Sequence, residues 1–127
     1  MGLDMYMQRR LTTDTKGDYA KEVAYWRKAN QIREWIVNHT NMHEDDNCEI
    51  IPMTKDLLEQ LVKDCEEVLA NPKCAEDIMP TSEGFFFGGT EYDEWYFQTL
   101  RNTIEQVKKI LATTDFVNEV VEYTEWW

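Results

Sequence analysis

The run Gly84-Phe85-Phe86-Phe87-Gly88-Gly89-Thr90-Glu91-Tyr92-Asp93-Glu94-Trp95-Tyr96-Phe97 constrains this chain more than any other stretch. A brief apolar run bounded by turn residues suits a short strand covered on both faces, so a strand is expected over 85–87. Gly88-Gly89 lets the backbone turn sharply or take positive φ without steric cost. Thr90 is a good N-cap, and Asp93 three residues on places a carboxylate near the free amides of a helix start. Strand, glycine turn and capped helix therefore follow one another within a few residues. That combination calls for a mixed architecture.

The rest of the chain agrees. Leu3, Met5 and Met7 alternate with Asp4, Tyr6 and Gln8, a period of two that predicts a strand over 3–11. A turn-rich loop holding Gly17 follows, and Asp18 is placed to cap a helix over 19–38. On it Tyr25, Ala29, Ile32 and Ile36 share one face at helical spacing. Residues 39–47 are polar and acidic, hence a loop. Residues 48–53 read as a short strand that Pro52 confines to an edge. Thr54 caps a helix to about Ala70, whose stripe is Leu57, Leu58, Leu61, Val62, Cys65, Val68 and Leu69, and Asn71-Pro72 ends it. A loop over 73–83 contains one helical turn near 75–78. The last helix is expected over 91–112 and a final strand over 117–127. The sum is an α+β domain with three helices on one face of a small, mainly antiparallel sheet.

At 127 residues, 43% of them hydrophobic, the chain is one globular domain spanning 1–127. No apolar run reaches bilayer-spanning length, and the first residues lack the basic-then-apolar order of a signal peptide. Tyr6 stands where a myristoylation motif needs Ser or Thr. A cytoplasmic protein with no membrane contact is the expectation. Cys48, Cys65 and Cys74 are odd in number and form no C-x-x-C, which fits free thiols in a reducing compartment. The net charge is −12 and unevenly spread. From Arg9 to Arg33 seven basic residues face three acids, a local +4, and the rest of the chain carries −16. Such a surface repels nucleic acid and favours basic partners.

Three motifs occur in order: Met1-Gly2-Leu3-Asp4-Met5-Tyr6, then Val23-Ala24-Tyr25-Trp26-Arg27-Lys28-Ala29-Asn30, then Gly84-Phe85-Phe86-Phe87-Gly88 with Thr90-Glu91-Tyr92-Asp93. Together they resemble a family of small proteins encoded by bacteriophages and prophages. The resemblance implies a setting, the bacterial host cytoplasm, and carries no activity with it. Small acidic phage proteins outside the particle often bind and disable a host protein, including defence nucleases.

Candidate chemistry is weighed against plainer roles. His39, His43, Glu44, Asp45, Asp46 and Cys48 crowd one loop, and His39-x-x-x-His43 is ligand-like spacing on a helix. The segment matches no zinc pattern or calcium loop, so no metal and no cofactor are expected. Glu91, Asp93 and Glu94 would supply paired carboxylates for hydrolysis, yet acids at a helix start also serve the dipole alone. No G-x-S-x-G or other nucleophilic arrangement accompanies them, and the chain is read as no enzyme.

Two binding readings remain. In the first, Phe87, Gly88, Gly89, Glu91, Tyr92, Asp93, Glu94 and Trp95 form an acidic surface with an aromatic anchor. It inhibits a host protein that handles nucleic acid or serves defence and presents a basic face. In the alternative, Arg9, Arg27 and Arg33 neutralise the phosphates of a signalling nucleotide and aromatics stack on its base. A homo-oligomer and a structural or assembly role stand behind these two.

Overall fold

The computed structural model describes residues 2–84 and 87–127. The expected strand over 85–87 thus falls mainly outside the described residues; Phe87 itself lies at a bend and is buried. Four strands form one antiparallel sheet: β1 (Asp4–Leu11), β2 (Lys21–Arg27), β3 (Ile51–Pro52) and β4 (Glu119–Trp126). Their order is β2-β1-β4-β3, so the N- and C-terminal strands are central. Four helices accompany them: α1 (Asn30–His39), α2 (Lys55–Ala70), the single turn α3 (Ala75–Ile78) and α4 (Glu94–Thr113). The architecture is α+β as expected, with one helix more than the three anticipated.

Alternation in the strands sorts the two sheet faces. Met5 and Met7 on β1, Ala24 and Trp26 on β2, and Val121 and Tyr123 on β4 point into the core. Ile32, Trp35 and Ile36 of α1 join them there, as do Leu58, Leu61 and Cys65 of α2 and Tyr96, Leu100 and Val107 of α4. Buried indoles keep polar partners: Trp26 Nε1 donates to Thr103 Oγ1 (2.9 Å) and Trp35 Nε1 to Asp64 Oδ2 (2.8 Å). The other sheet face carries Asp4, Tyr6, Gln8 and Arg10 beside Tyr25, Arg27, Glu122, Thr124 and Trp126, of which Tyr25, Arg27 and Trp126 are exposed.

The expected helix over 19–38 is corrected. Its first half is β2, which pairs with β1 from Asp4↔Arg27 to Arg9↔Lys21. Lys28, at φ 56°, breaks strand from helix, and α1 begins only at Asn30. Tyr25 therefore points to the open face and leaves the stripe assigned to it. The Val-Ala-Tyr-Trp text is a good strand in its own right, and pairing with β1 outweighs helical spacing. Asp18 caps nothing: its own N–H, like that of Tyr19, donates to the Asp14 carboxylate at 3.1 and 2.9 Å. Helix α4 starts three residues later than expected, with Asp93 rather than Thr90 as N-cap; Asp93 Oδ1 accepts from Tyr96 N–H at 3.1 Å. The Thr90 carbonyl accepts from Thr81 Oγ1 instead of opening the helix. Thr54 does cap α2, accepting from Leu57 N–H at 3.2 Å.

Both sheet edges are closed to further strands. β3 is two residues long and ends in Pro52, which has no N–H to offer. On β2, Gln106 of α4 acts as a false neighbour: its Oε1 accepts from Tyr25 N–H (2.9 Å) and its Nε2 donates to Tyr25 C=O (3.0 Å).

One polar cluster ties the ends of the chain to the middle. Arg33 and Glu125 are an ion pair with side chains 1% exposed. Arg33 Nε reaches both carboxylate oxygens at 2.9 and 2.8 Å, and Nη2 donates to the carbonyls of Glu44 and Asp46. Tyr123 Oη and Trp127 Nε1 donate to the remaining lone pairs of Glu125 at 2.5 and 2.8 Å. The guanidinium also lies 4.8 Å from the Phe87 ring centre and 5.7 Å from that of Trp127. Both carboxylate oxygens of Glu125, and Nε and Nη2 of Arg33, have partners, the condition under which a buried pair is tolerated.

Candidate functional site

The glycine turn meets the junction between β2 and α1. Gly88 takes φ 85° against Lys28, itself left-handed. A Cβ on Gly88 would lie 3.2 Å from Lys28 Cβ and 3.3 Å from its carbonyl oxygen, so glycine is demanded by both conformation and space. Buried Asn30, at the start of α1, fastens the turn. Its Nδ2 donates to the carbonyls of Phe87 (2.9 Å) and Gly89 (2.7 Å), and its Oδ1 accepts from Ser82 N–H (3.0 Å). Two left-handed residues in contact, pinned by a saturated carboxamide, make a rigid ledge on which Gly88 and Gly89 stay exposed.

The anticipated acidic group spreads from that ledge. Glu91 is exposed and makes no hydrogen bond or ion pair among the described residues. Tyr92 is half-buried; its hydroxyl accepts from Thr81 N–H at 3.2 Å and its ring tilts on Tyr96. Asp93 is committed to capping α4. Glu94 forms an exposed ion pair with Arg101. Trp95, on the first turn of α4, is 47% exposed. Phe87 is buried against Arg33 and Trp127 and offers no surface.

The three arginines stand apart. Arg33 is locked in the core pair with Glu125. Arg9 binds Thr113 and Thr114 at the far end of β1 and pairs with Glu119. Arg27 pairs with Asp4, five residues or about 17 Å from Arg9 along the strand. Arg27 alone joins the site. Its Nη1 donates to Asp4 Oδ1 (2.7 Å), which also accepts from Tyr25 Oη (2.6 Å). That Tyr25 hydroxyl, with Arg27, holds the Asp4 carboxyl below its ordinary range, and the same contact raises the Tyr25 phenol. Gly2 leaves room for the guanidinium, since a Cβ there would sit 2.9 Å from Arg27 Nη2.

Arg27 lies at the centre of three shallow concavities. One, of about 360 Å³, is bounded by Arg27, Lys28, Gly88, Gly89 and Trp95. A second, also about 360 Å³, runs from Arg27 and Tyr25 past Trp95 to Gln98, Thr99 and Asn102 of α4. A third, about 430 Å³, opens on that second sheet face between Arg27, Asp4, Tyr6, Trp126 and Trp127. Trp126 is 70% exposed there. Sequence reasoning missed that Arg27 joins Trp95 to Trp126; the only signal was that β2 must reach β1, which the helical spacing hid.

The histidine loop holds no assembled centre. His39 stacks on Trp35 with ring centres 3.9 Å apart and donates through Nδ1 to the Trp35 carbonyl. Among the described residues no group of three or more His, Cys, Asp or Glu side chains is placed to hold a metal ion. Nor is any helix among them long and apolar enough to cross a membrane. Compared with protein-family models, with curated proteins and with solved structures, the chain matches none.

Proposed function

We propose that this protein acts by binding another protein through the surface that runs from Trp95 across Arg27 to Trp126. One observation carries the reading: two exposed tryptophans and an exposed arginine share one continuous surface built on β2, β4 and α4. Trp, Tyr and Arg are the side chains that dominate binding hot spots, and Tyr6 and Tyr25 extend the same surface. Glu91 and Glu94 stand around the start of α4 with carboxylates outward. They add a negative rim that selects a basic partner and speeds encounter. The resemblance to phage and prophage proteins supplies the setting, in which the partner is a host protein of defence or nucleic-acid handling and binding inhibits it. Carboxylates then stand where that protein expects phosphates.

The test is the salt dependence of the complex. Exposed charges are screened over about 8–10 Å at physiological ionic strength. Affinity for the partner should therefore fall at least about tenfold as salt rises from about 0.05 to 0.5 M, and Trp95→Ala should weaken it further at any salt. Binding indifferent to both salt and Trp95 refutes the reading.

A further inference from the structure

The concavities on either side of Trp95 have a chemistry that an acidic protein-binding face does not explain. Trp95, Gln98, Thr99 and Asn102 fall at i, i+3, i+4 and i+7 on α4, so they form one stripe, and that stripe lines a groove facing Tyr25 and Arg27. At one end of the groove lie two cations, Arg27 and Lys28, in a chain of net charge −12. Lys28 forms no ion pair among the described residues. Between them and Trp95 lies the ledge of Gly88 and Gly89, whose N–H groups meet no acceptor among the described residues. Asn102 also makes no side-chain hydrogen bond among those residues, and the Gln98 amide nitrogen makes none either; only its oxygen accepts, from Arg101.

We infer that this groove binds a nucleotide bearing a single phosphate or phosphodiester, in a site that shares Trp95 and Arg27 with the protein-binding surface but makes no use of its carboxylates. The phosphate lies on Lys28 and Arg27 against the glycine ledge, where compact cations and backbone amides both favour an anion. The base stacks on the open face of Trp95, a contact any base can make. Carboxamides pair bidentately with adenine edges, and Gln98 and Asn102 are placed one and two turns along the helix from Trp95 to do so. The bonds from Asn30 to the Phe87 and Gly89 carbonyls hold the turn in this form without a ligand, which lowers the cost of binding one. Each concavity, at about 360 Å³, is at the low end of the range for small-molecule sites, about 300–1,000 Å³. Low phosphate charge follows from the surroundings: Asp4 already offsets Arg27, and exposed Glu91, which has no ion pair among the described residues, repels a polyphosphate, while Arg101 offsets Glu94.

Calorimetric titration of the intact protein with adenosine monophosphate and with 3′,5′-cyclic adenosine monophosphate tests this, with inorganic phosphate as the comparison. One molecule per chain is expected, with adenosine triphosphate and phosphate alone binding more weakly. Lys28→Glu and Trp95→Ala should each weaken binding about tenfold or more, since stacking on one aromatic ring is worth that much. Asn102→Ala should reduce the preference for adenine over uracil, and its exposed position leaves the fold intact, checked by circular dichroism. Glu91→Lys with Glu94→Lys should leave nucleotide binding unchanged or tighten it, although the same pair removes the proposed protein contact, so the two readings fail separately. Absence of binding by either nucleotide at millimolar concentration overturns the inference. So does binding that survives both Lys28→Glu and Trp95→Ala, or phosphate alone binding as tightly as the nucleotides.

Discussion

Replacing Glu125 with Gln tests whether the buried pair with Arg33 organises this fold. The substitution keeps the shape and one oxygen, so it creates no cavity. It does remove the charge that faces a guanidinium 1% exposed. Two Arg33 contacts go to that carboxylate, and the other two, to the Glu44 and Asp46 carbonyls, cannot neutralise a cation. Leaving one partner of a buried pair uncompensated costs about 3–5 kcal/mol. For a domain with about 5–15 kcal/mol of stability in all, that is a large fraction. With a urea m-value of about 2 kcal/mol/M, the unfolding midpoint should fall by about 1.5–2.5 M with m unchanged. Equilibrium urea unfolding followed by tryptophan fluorescence measures this directly. Arg33→Met with Glu125→Met should be less damaging than the sum of its single changes, because neither charge is then stranded. A midpoint shift under about 0.5 M, or strict additivity in the double variant, would refute the reasoning, since both values lie outside what an isolated buried cation predicts.

Three further outcomes follow from the same geometry. Glu34 has a buried carboxylate oxygen without a partner among the described residues, and burial, with help from Glu44, raises its pKa. Between the unfolded and folded values the native state holds the extra proton, so stability falls as pH rises through that interval. Glu34→Gln should therefore raise the unfolding midpoint at pH 7, and the gain should vanish once the pH is below the ordinary carboxylate range. Gln106→Ala leaves Tyr25 N–H and C=O open on the β2 edge. It should cost about 1 kcal/mol and bring concentration-dependent association, read by light scattering. Gly88→Ala forces φ 85° on alanine and a 3.3 Å approach to Lys28 O. It should destabilise by about 1–3 kcal/mol in the same urea assay.

Where pattern and packing coincide, the sequence was readable. α2 carries its apolar stripe and its Thr54 cap in plain text, and the fold used both. β1 alternates cleanly over its first half because one of its faces is core and the other is half-exposed. β2 was hidden because Tyr25, Ala29, Ile32 and Ile36 satisfy a helical period by accident. The actual break is Lys28, a residue type that gives no sign of a left-handed conformation. Thr90 and Asp93 are both capping residues, and no local pattern separates them; α4 uses Asp93. The glycine ledge and Trp95 were legible because they are local. Arg27 reaches them only through strand pairing, and Arg33 meets Glu125 across 92 residues, a partnership no local pattern reveals. The stripe of Gln98, Thr99 and Asn102 reads in sequence as an ordinary solvated helix face.

The most direct test is native mass spectrometry of the protein recovered gently from a bacterial lysate, beside two variants, Glu91→Lys with Glu94→Lys and Trp95→Ala. The account predicts a stoichiometric protein partner on the native chain that is lost from both variants, while circular dichroism shows their fold unchanged. A partner retained by both variants, or a chain that carries no protein at all, would contradict binding through the surface around Trp95.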